Sequence, residues 1–479
     1  MVTPLWVCGQ PEMTDETLVS INPADGTIAG EVCIASPRLV DQAVRATHDA
    51  WRRSDWPHRL PHERARVLVR VAERLEAERE SLAELQMHDS GKPLAECRKM
   101  VTTAAGSFRF FAAVLETEET EVTPPRGSYV SMTVVEPYGV VALITPWNSP
   151  IMQEAQKAAP ALATGNAVII KPSEETPQLA FHLARICADA GVPRELVTVL
   201  PGTGETTGAA LVAHPLVRMV SFTGGTETGR AIGAVCAERI IPAALELGGK
   251  SPHIVFADAD LDRALDAVAS GIFGSAGQSC VAGSRLLVEE SIAEPFITRL
   301  AERADALRVG HPADPATQMG PLVSQHHRDR VESYIRIGLE EDGGRLRAGG
   351  VRPDDPALAN GAYVRPTVID GVSNDARCAQ EEIFGPVIVC VPFRTENDLI
   401  EMANDSVYGL AAGIWSGSFD RAWRVGRAVQ AGSVWINCYK QSSISSPFGG
   451  FKESGLLREK GRQGLRLYGA LKSIYLGLQ

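Results

Sequence analysis

From residue 140 onward the chain repeats one pattern, a short apolar run too brief for a helix followed by a longer stretch with helical spacing. The runs lie at 140–144, 167–170, 196–200 and 219–222, and 178–190 between two of them reads as a helix. Strands that alternate with helices are joined by right-handed crossovers, and they line up as a parallel sheet buried on both faces. A second series has runs at 284–288, 387–391 and 433–437 and a helical stretch at 292–307. The pattern therefore predicts two α/β domains, one built after the other. A chain of 479 residues exceeds what one ordinary core holds, which points the same way. Ahead of the first sheet, Leu68, Val71, Ala72, Leu75, Leu82 and Leu85 recur at helical spacing among charges, so 63–85 is expected to form one amphipathic helix. The Pro- and Asp-rich stretch 351–361 reads as an exposed loop.

Charge and cysteine usage narrow the function classes. A net charge of −11, from 47 basic and 58 acidic residues, weighs against nucleic acid or an anionic membrane as partner. Nowhere do 18 apolar residues run together, and residues 1–10 carry no basic patch followed by an apolar core, so a cytoplasmic protein is expected. Nine cysteines, scattered and without CxxC spacing, indicate neither a disulfide framework nor a metal site.

Cys280 closes GQSC (277–280) and Glu246 opens ELGGKSP (246–252). A cysteine in a non-periodic stretch is not placed like a core residue, and a carboxylate just ahead of Gly-Gly is not placed like a helix surface charge. The two suggest a thiol nucleophile and a general base, although free cysteine is often buried and most glutamates are simply solvated. For a cofactor, the fingerprint GxGxxG is absent, since Gly202 and Gly204 are followed by Gly208. Residues 248–251 resemble the end of a phosphate-binding P-loop, but Ala244 stands where its first glycine belongs. What is present is the strand 219–222 followed by Thr223, Gly224, Gly225 and Thr226 entering a helix, where backbone amides can approach a pyrophosphate closely. Lys171 and Glu174 lie just past the strand 167–170, at the end of a parallel sheet where ligands collect.

With PWN (146–148), KPSEETP (171–177), FTGGTETG (222–229), EEIFGPV (381–387) and PFGGFKESG (447–455) added in order, the chain resembles the aldehyde dehydrogenase superfamily, in its NAD(P)-dependent hydrolytic branch, from about residue 20 to the end. The resemblance implies a Rossmann-like cofactor domain (1–118 and 138–248), a second α/β catalytic domain (249–450), and a small β arm (119–137 and 465–479) that pairs subunits into a homodimer or homotetramer. It implies that Cys280 attacks the aldehyde and that the Asn148 amide and the Cys280 N–H stabilise the resulting oxyanion. Glu246 would then activate water against the thioester, giving a free acid, with Lys157 assisting proton transfer. NAD is the expected cofactor, with NADP the weaker alternative. Its binding set comprises Ile144, Thr145, Pro146, Trp147, Lys171, Ser173, Glu174, Gly204, Gly208, Phe222, Thr223, Gly224, Gly225, Thr226, Leu247, Glu382 and Phe384. A carboxylate at Glu174 accepts from both ribose hydroxyls and repels a 2′-phosphate.

Offsets from the matched motifs place Ser149, Gln153, Gln156, Gly274, Ser279, Val281, Lys440, Gln441, Ser442 and Phe448 along the substrate tunnel. Several of these are small or polar where relatives acting on small or fatty aldehydes have aromatics. A polar or bulky aldehyde is therefore expected, a semialdehyde among the candidates, with Lys440 able to attract a carboxylate. Two other readings compete: a binding protein on the same fold, and a Cys/His hydrolase with His253 as base.

Overall fold

The computed structural model describes residues 2–478. Met1 and Gln479, the outer ends of the expected cofactor domain and arm, lie outside the described residues. The first sheet has eight strands in the order Gln10–Glu12, Leu5–Val7, Val197–Val199, Ala167–Lys171, Val140–Ile144, Val217–Thr223, Ala243–Glu246 and Gly455–Leu456. Its five central strands are parallel, and both flanks are antiparallel. All residues of Val140–Ile144 and Ala167–Lys171 are buried, which is why both read as unbroken apolar runs. The chain builds outward from Val140–Ile144 in one direction and then returns to lay Val217–Thr223 on the other side. Between these two strands the winding reverses, and beyond their carboxyl ends a crevice opens.

The second sheet has seven strands in the order Arg345–Ala348, Thr367–Asp370, Val387–Phe393, Arg285–Glu289, Pro252–Val255, Ala411–Trp415 and Ser433–Ile436. All its pairs are parallel except the first. After it the chain comes back to the first sheet, where Gly455–Leu456 pairs antiparallel with Ala243–Glu246. A third sheet joins Gly469–Gly477 to Tyr129–Pro137 and Val122–Thr123, leaving Leu471, Tyr475 and Leu476 exposed.

The helix expected over 63–85 is two helices, Pro61–Ala77 and Arg79–Ser90, broken at Glu78. Leu75 and Leu82 are a whole heptad apart, so the apolar stripe stays in phase across the break and its periodicity conceals it. Stretch 351–361 is mostly exposed, with Leu358 buried in a single 3₁₀ turn. Among the described residues no helix is long and apolar enough to cross a membrane, and no group of three or more His, Cys, Asp or Glu is placed to hold a metal ion.

Helix Pro150–Ala163 is buried along almost its whole length. It carries Glu154, whose two carboxyl oxygens have no hydrogen-bond partner. Burial, then the neighbouring Asp89, pushes this carboxyl up to about 8. In the unfolded chain it ionises near about 4.3, so between those values the folded protein binds the extra proton and stability falls as pH rises. We expect Glu154→Gln to flatten that slope and to raise Tm at pH 8, measured by thermal melts across the range. A variant that melts below the parent at pH 8 would contradict this account.

Candidate active site

The crevice at the switch point is walled by Pro146, Trp147, Asn148, Gln153, Thr223, Gly224, Gly225, Leu247, Gly248, Cys280, His327, Arg330, Glu382 and Phe384. Asn148 follows the strand Val140–Ile144, and Thr223 ends the strand Val217–Thr223. Helix Thr226–Glu238 starts directly after Gly225, beside which a side chain would meet open space. The hydroxyls of Thr145 and Thr223 are buried without partners. Free amides at the start of a thirteen-residue helix, next to unpaired hydroxyls, suit a pyrophosphate.

Backbone contacts bring Cys280 into this wall. A Cβ at Gly249 would stand 2.5 Å from the Cys280 carbonyl oxygen, and one at Gly277 would stand 2.0 Å from that of Gly385. Only glycine lets ELGGKSP and GQSC pack so closely. Ser275 and Ala276, just before Gly277, are also left-handed, with φ of 56° and 52°. Glu96 supports that strained turn, accepting from the Ser275 N–H at 3.3 Å and from its hydroxyl at 2.5 Å. The Asn148 amide donates to the Gln278 carbonyl at 3.0 Å, which holds it beside the cysteine. Opposite, Phe384 is left-handed at φ 61° and meets Trp147 edge to face at 5.2 Å, while the His327 ring nitrogen lies 2.8 Å from its carbonyl.

The Cys280 thiol is half-buried. Burial first, then Glu382 and Glu246, pushes it up to about 12, while Lys440 and Lys460 pull the other way. Glu246 ends the strand Ala243–Glu246, is buried, and has no hydrogen-bond partner on either oxygen. Burial, then the charge of Glu459, raises it well above the usual carboxylate range, and Lys157 partly offsets this. Behind it Lys157 Nζ is 2.5 Å from Glu459 Oε1 and 3.0 Å from Ser221 Oγ, and the Gln156 amide donates to Glu459 Oε2 at 2.6 Å. Lys157 and Glu459 are both buried.

Of the expected cofactor residues, Pro146, Trp147, Thr223, Gly224, Gly225, Leu247, Glu382 and Phe384 share the crevice wall. Ile144 and Phe222 are buried at the strand ends beneath it, and the Thr226 hydroxyl accepts from the Gly248 N–H at 3.4 Å. Lys171 Nζ pairs with Glu174 Oε1 at 3.0 Å, and Glu174 opens on a second cavity with Ser20, Asn22 and Ser324. Ser173 accepts from the Glu175 N–H, and Gly204–Gly208 forms one wide helical turn.

Of the expected tunnel residues, only Gln153 shares the wall with Asn148 and Cys280. Gln156 is corrected: it is buried and its amide is committed to Glu459, because a buried carboxylate needs donors on both oxygens. Ser149 is buried at the start of helix Pro150–Ala163, and Gly274 borders open space. Ser279 is half-buried, and the Val281 carbonyl accepts from the Tyr439 hydroxyl at 3.0 Å. Gln441 and Ser442 are exposed, and Phe448 lies under Lys460 Nζ at 4.9 Å. His253 is fully buried, stacked on Tyr439 and accepting from Trp415 Nε1 at 2.9 Å. Burial lowers it to about 3, so it is no base for Cys280. Glu459, Lys460, Glu96, His327 and Arg330 were not singled out by the sequence; each sits in a charged stretch that reads as solvated surface.

A switch-point crevice lined by a glycine-led helix start, with a half-buried thiol on its wall, defines an α/β dehydrogenase. The chain belongs to the aldehyde dehydrogenase family, whose sequence model, described as "Aldehyde dehydrogenase family", matches residues 10–474. It is 40% identical over 471 residues to the betaine aldehyde dehydrogenase of Bacillus subtilis (strain 168), covering 98% of this chain and 95% of that one. Among solved structures it resembles the betaine aldehyde dehydrogenase of Staphylococcus aureus in complex with NAD+, with a TM-score of 0.97 at 36% identity, covering 100% of this chain and 95% of that chain. It also resembles PnpE from Pseudomonas sp. WBC-3 in complex with nicotinamide adenine dinucleotide, with a TM-score of 0.97 at 39% identity, covering 100% and 98%.

Removing one partner of a buried ion pair leaves the other charge uncompensated, at a cost of about 3–5 kcal/mol. We expect Glu459→Gln to lower stability by about that amount, read from urea melts. The double variant Lys157→Met/Glu459→Leu should recover much of the loss, and if it does not, the packing around the pair matters more than its charge.

Proposed function

We propose that the protein oxidises an aldehyde to the carboxylic acid with NAD, through a covalent intermediate on Cys280. The observation that carries this reading is the half-buried Cys280 thiol on one wall with Asn148 and the helix start at Gly225, with the unpartnered carboxyl of Glu246 nearby. In this reading the first sheet, over 1–118 and 138–248, holds the cofactor, and 249–450 supplies the thiol. The residues present suit NAD: amides at Gly225 and Thr226 for the pyrophosphate, Lys171 with Glu174 for a ribose, and Glu382 with Phe384 toward the ring end. When bound, NAD supplies the hydride acceptor.

A trigonal aldehyde is a poor hydride donor and its tetrahedral adduct a good one, so addition of sulfur to the carbonyl comes first. Lys440 and Lys460 favour the thiolate form needed for that attack. The oxyanion that forms meets the Cys280 N–H and the Asn148 amide. Loss of hydride leaves a thioester on Cys280. Glu246, held above the ordinary carboxylate range, is a stronger base than a solvated carboxylate and takes a proton from the attacking water. Gln153 on the wall and the half-buried Ser279 next to Cys280 favour a polar or bulky aldehyde. The exposed apolar strand Gly469–Gly477 with Tyr129–Pro137 is the surface through which two or four copies associate.

With Glu246→Gln we expect a burst of about one NADH per active site followed by slow turnover, because the thioester forms but its hydrolysis has lost the base. Stopped-flow absorbance measures both phases, and disappearance of the burst along with the steady rate would assign Glu246 another role. NAD should give a higher kcat/KM than NADP, and Glu174→Gln should narrow the gap by improving NADP. An unmodified enzyme that prefers NADP would refute the assignment of Glu174.

A further inference from the structure

Two lysines beside Cys280 have no counter-ion of their own. Lys440 follows Tyr439, whose hydroxyl donates to the carbonyl of Val281, the residue after the cysteine. Lys460 follows Glu459, whose backbone is paired in both directions with Phe448 at 2.8 Å, and its ammonium lies 4.9 Å over the Phe448 ring. Both residues are left-handed, with φ of 54° and 57°, a conformation that non-glycine residues keep only where the surroundings impose it. Among the described residues neither ammonium has an ion-pair or hydrogen-bond partner, and both act electrostatically on Cys280.

The acidic groups that face them are engaged elsewhere or neutralised. Glu96, which acts on Lys440, is bound to Ser275, and Glu459, which acts on Lys460, is bound to Lys157 and Gln156. Glu246 also acts on Lys460, but neither of its carboxyl oxygens is hydrogen-bonded to that ammonium or to any other group. Lys92, a further buried ammonium without a partner, also acts on Lys440. Glu382 acts on Cys280 more strongly than either lysine, but it accepts from the Gly249 N–H at 2.9 Å, so the two ammoniums are the positive charges near the thiol left without a bonded partner, a place that an entering anion would fill.

We propose that Lys440 and Lys460 form a cationic collar that selects aldehydes bearing a carboxylate remote from the reacting carbonyl. The collar rests on the reading of Cys280 as the residue that attacks the aldehyde. It separates this protein from relatives named for betaine aldehyde, a quaternary ammonium compound, which a positive collar repels.

The test uses the full-length protein with NAD and three aldehydes of one shape: 4-formylbenzoate, its methyl ester, and 4-(trimethylammonio)benzaldehyde. The acid should exceed the ester in kcat/KM by about tenfold or more, and the cation should rank last. In Lys440→Met and in Lys460→Met, assayed separately, the acid-to-ester ratio should fall toward one. If the lysines serve only to ionise the thiol, acid and ester decline together and the ratio holds in both variants, which overturns the collar. An ester oxidised as well as the acid by the unmodified protein also overturns it, while leaving the aldehyde reading intact. No NADH from any of the three, nor from benzaldehyde, overturns the aldehyde reading and the collar with it.

Discussion

The buried pair between Lys157 and Glu459 is the contact on which the geometry around the thiol depends. Lys157 lies on the helix that begins just after Asn148, and Glu459 lies in the segment that returns from the second sheet to the first. Ser221, on the strand that ends at Thr223, bonds to both members of the pair, and Tyr468 bonds to Ser221. Two charges without water are tolerable only when each is saturated with hydrogen bonds. Glu459 reaches that state by taking donors from Lys157, Gln156 and Ser221. Glu246 is then left with no hydrogen-bonded cation, and its burial first, with the negative Glu459 second, holds it well above an ordinary carboxylate. One pair thus positions Asn148's helix and tunes the carboxyl that acts beside it.

Close backbone approach is the second organising constraint. Gly249 lies against the carbonyl of Cys280, and Gly277 against that of Gly385, one residue beyond Phe384. The loop that carries the thiol is therefore in contact with the Glu246 loop on one side and with the Phe384 loop on the other. A shift of any one of the three is felt by both others, because no side chain stands between them to take up slack.

Much of this organisation was legible in the sequence, for reasons that vary by element. The parallel strands were visible because burial on both faces leaves no polar position to interrupt them, as in Val140–Ile144. The break at Glu78 was hidden because it preserves the heptad. GQSC and ELGGKSP announced themselves by placing reactive groups beside glycines, yet why the glycines are needed is visible only where the two loops touch. Glu459 was illegible for a different reason: it sits in the run Arg458-Glu459-Lys460, which looks like solvated surface, and its partner is 302 residues away. Gln156 was misplaced by the same blindness, since an offset from Asn148 gives a position on the helix but not what stands opposite.

The return of the chain to the first sheet has a mechanical consequence. The two sheets are connected at 246–252, where the backbone leaves the first, and again where Gly455–Leu456 pairs with Ala243–Glu246. A body stitched at two points resists the clamshell rotation open to domains joined by a single strap. Entry to the crevice is then shaped by the side chains on its walls rather than by rotation of one sheet against the other.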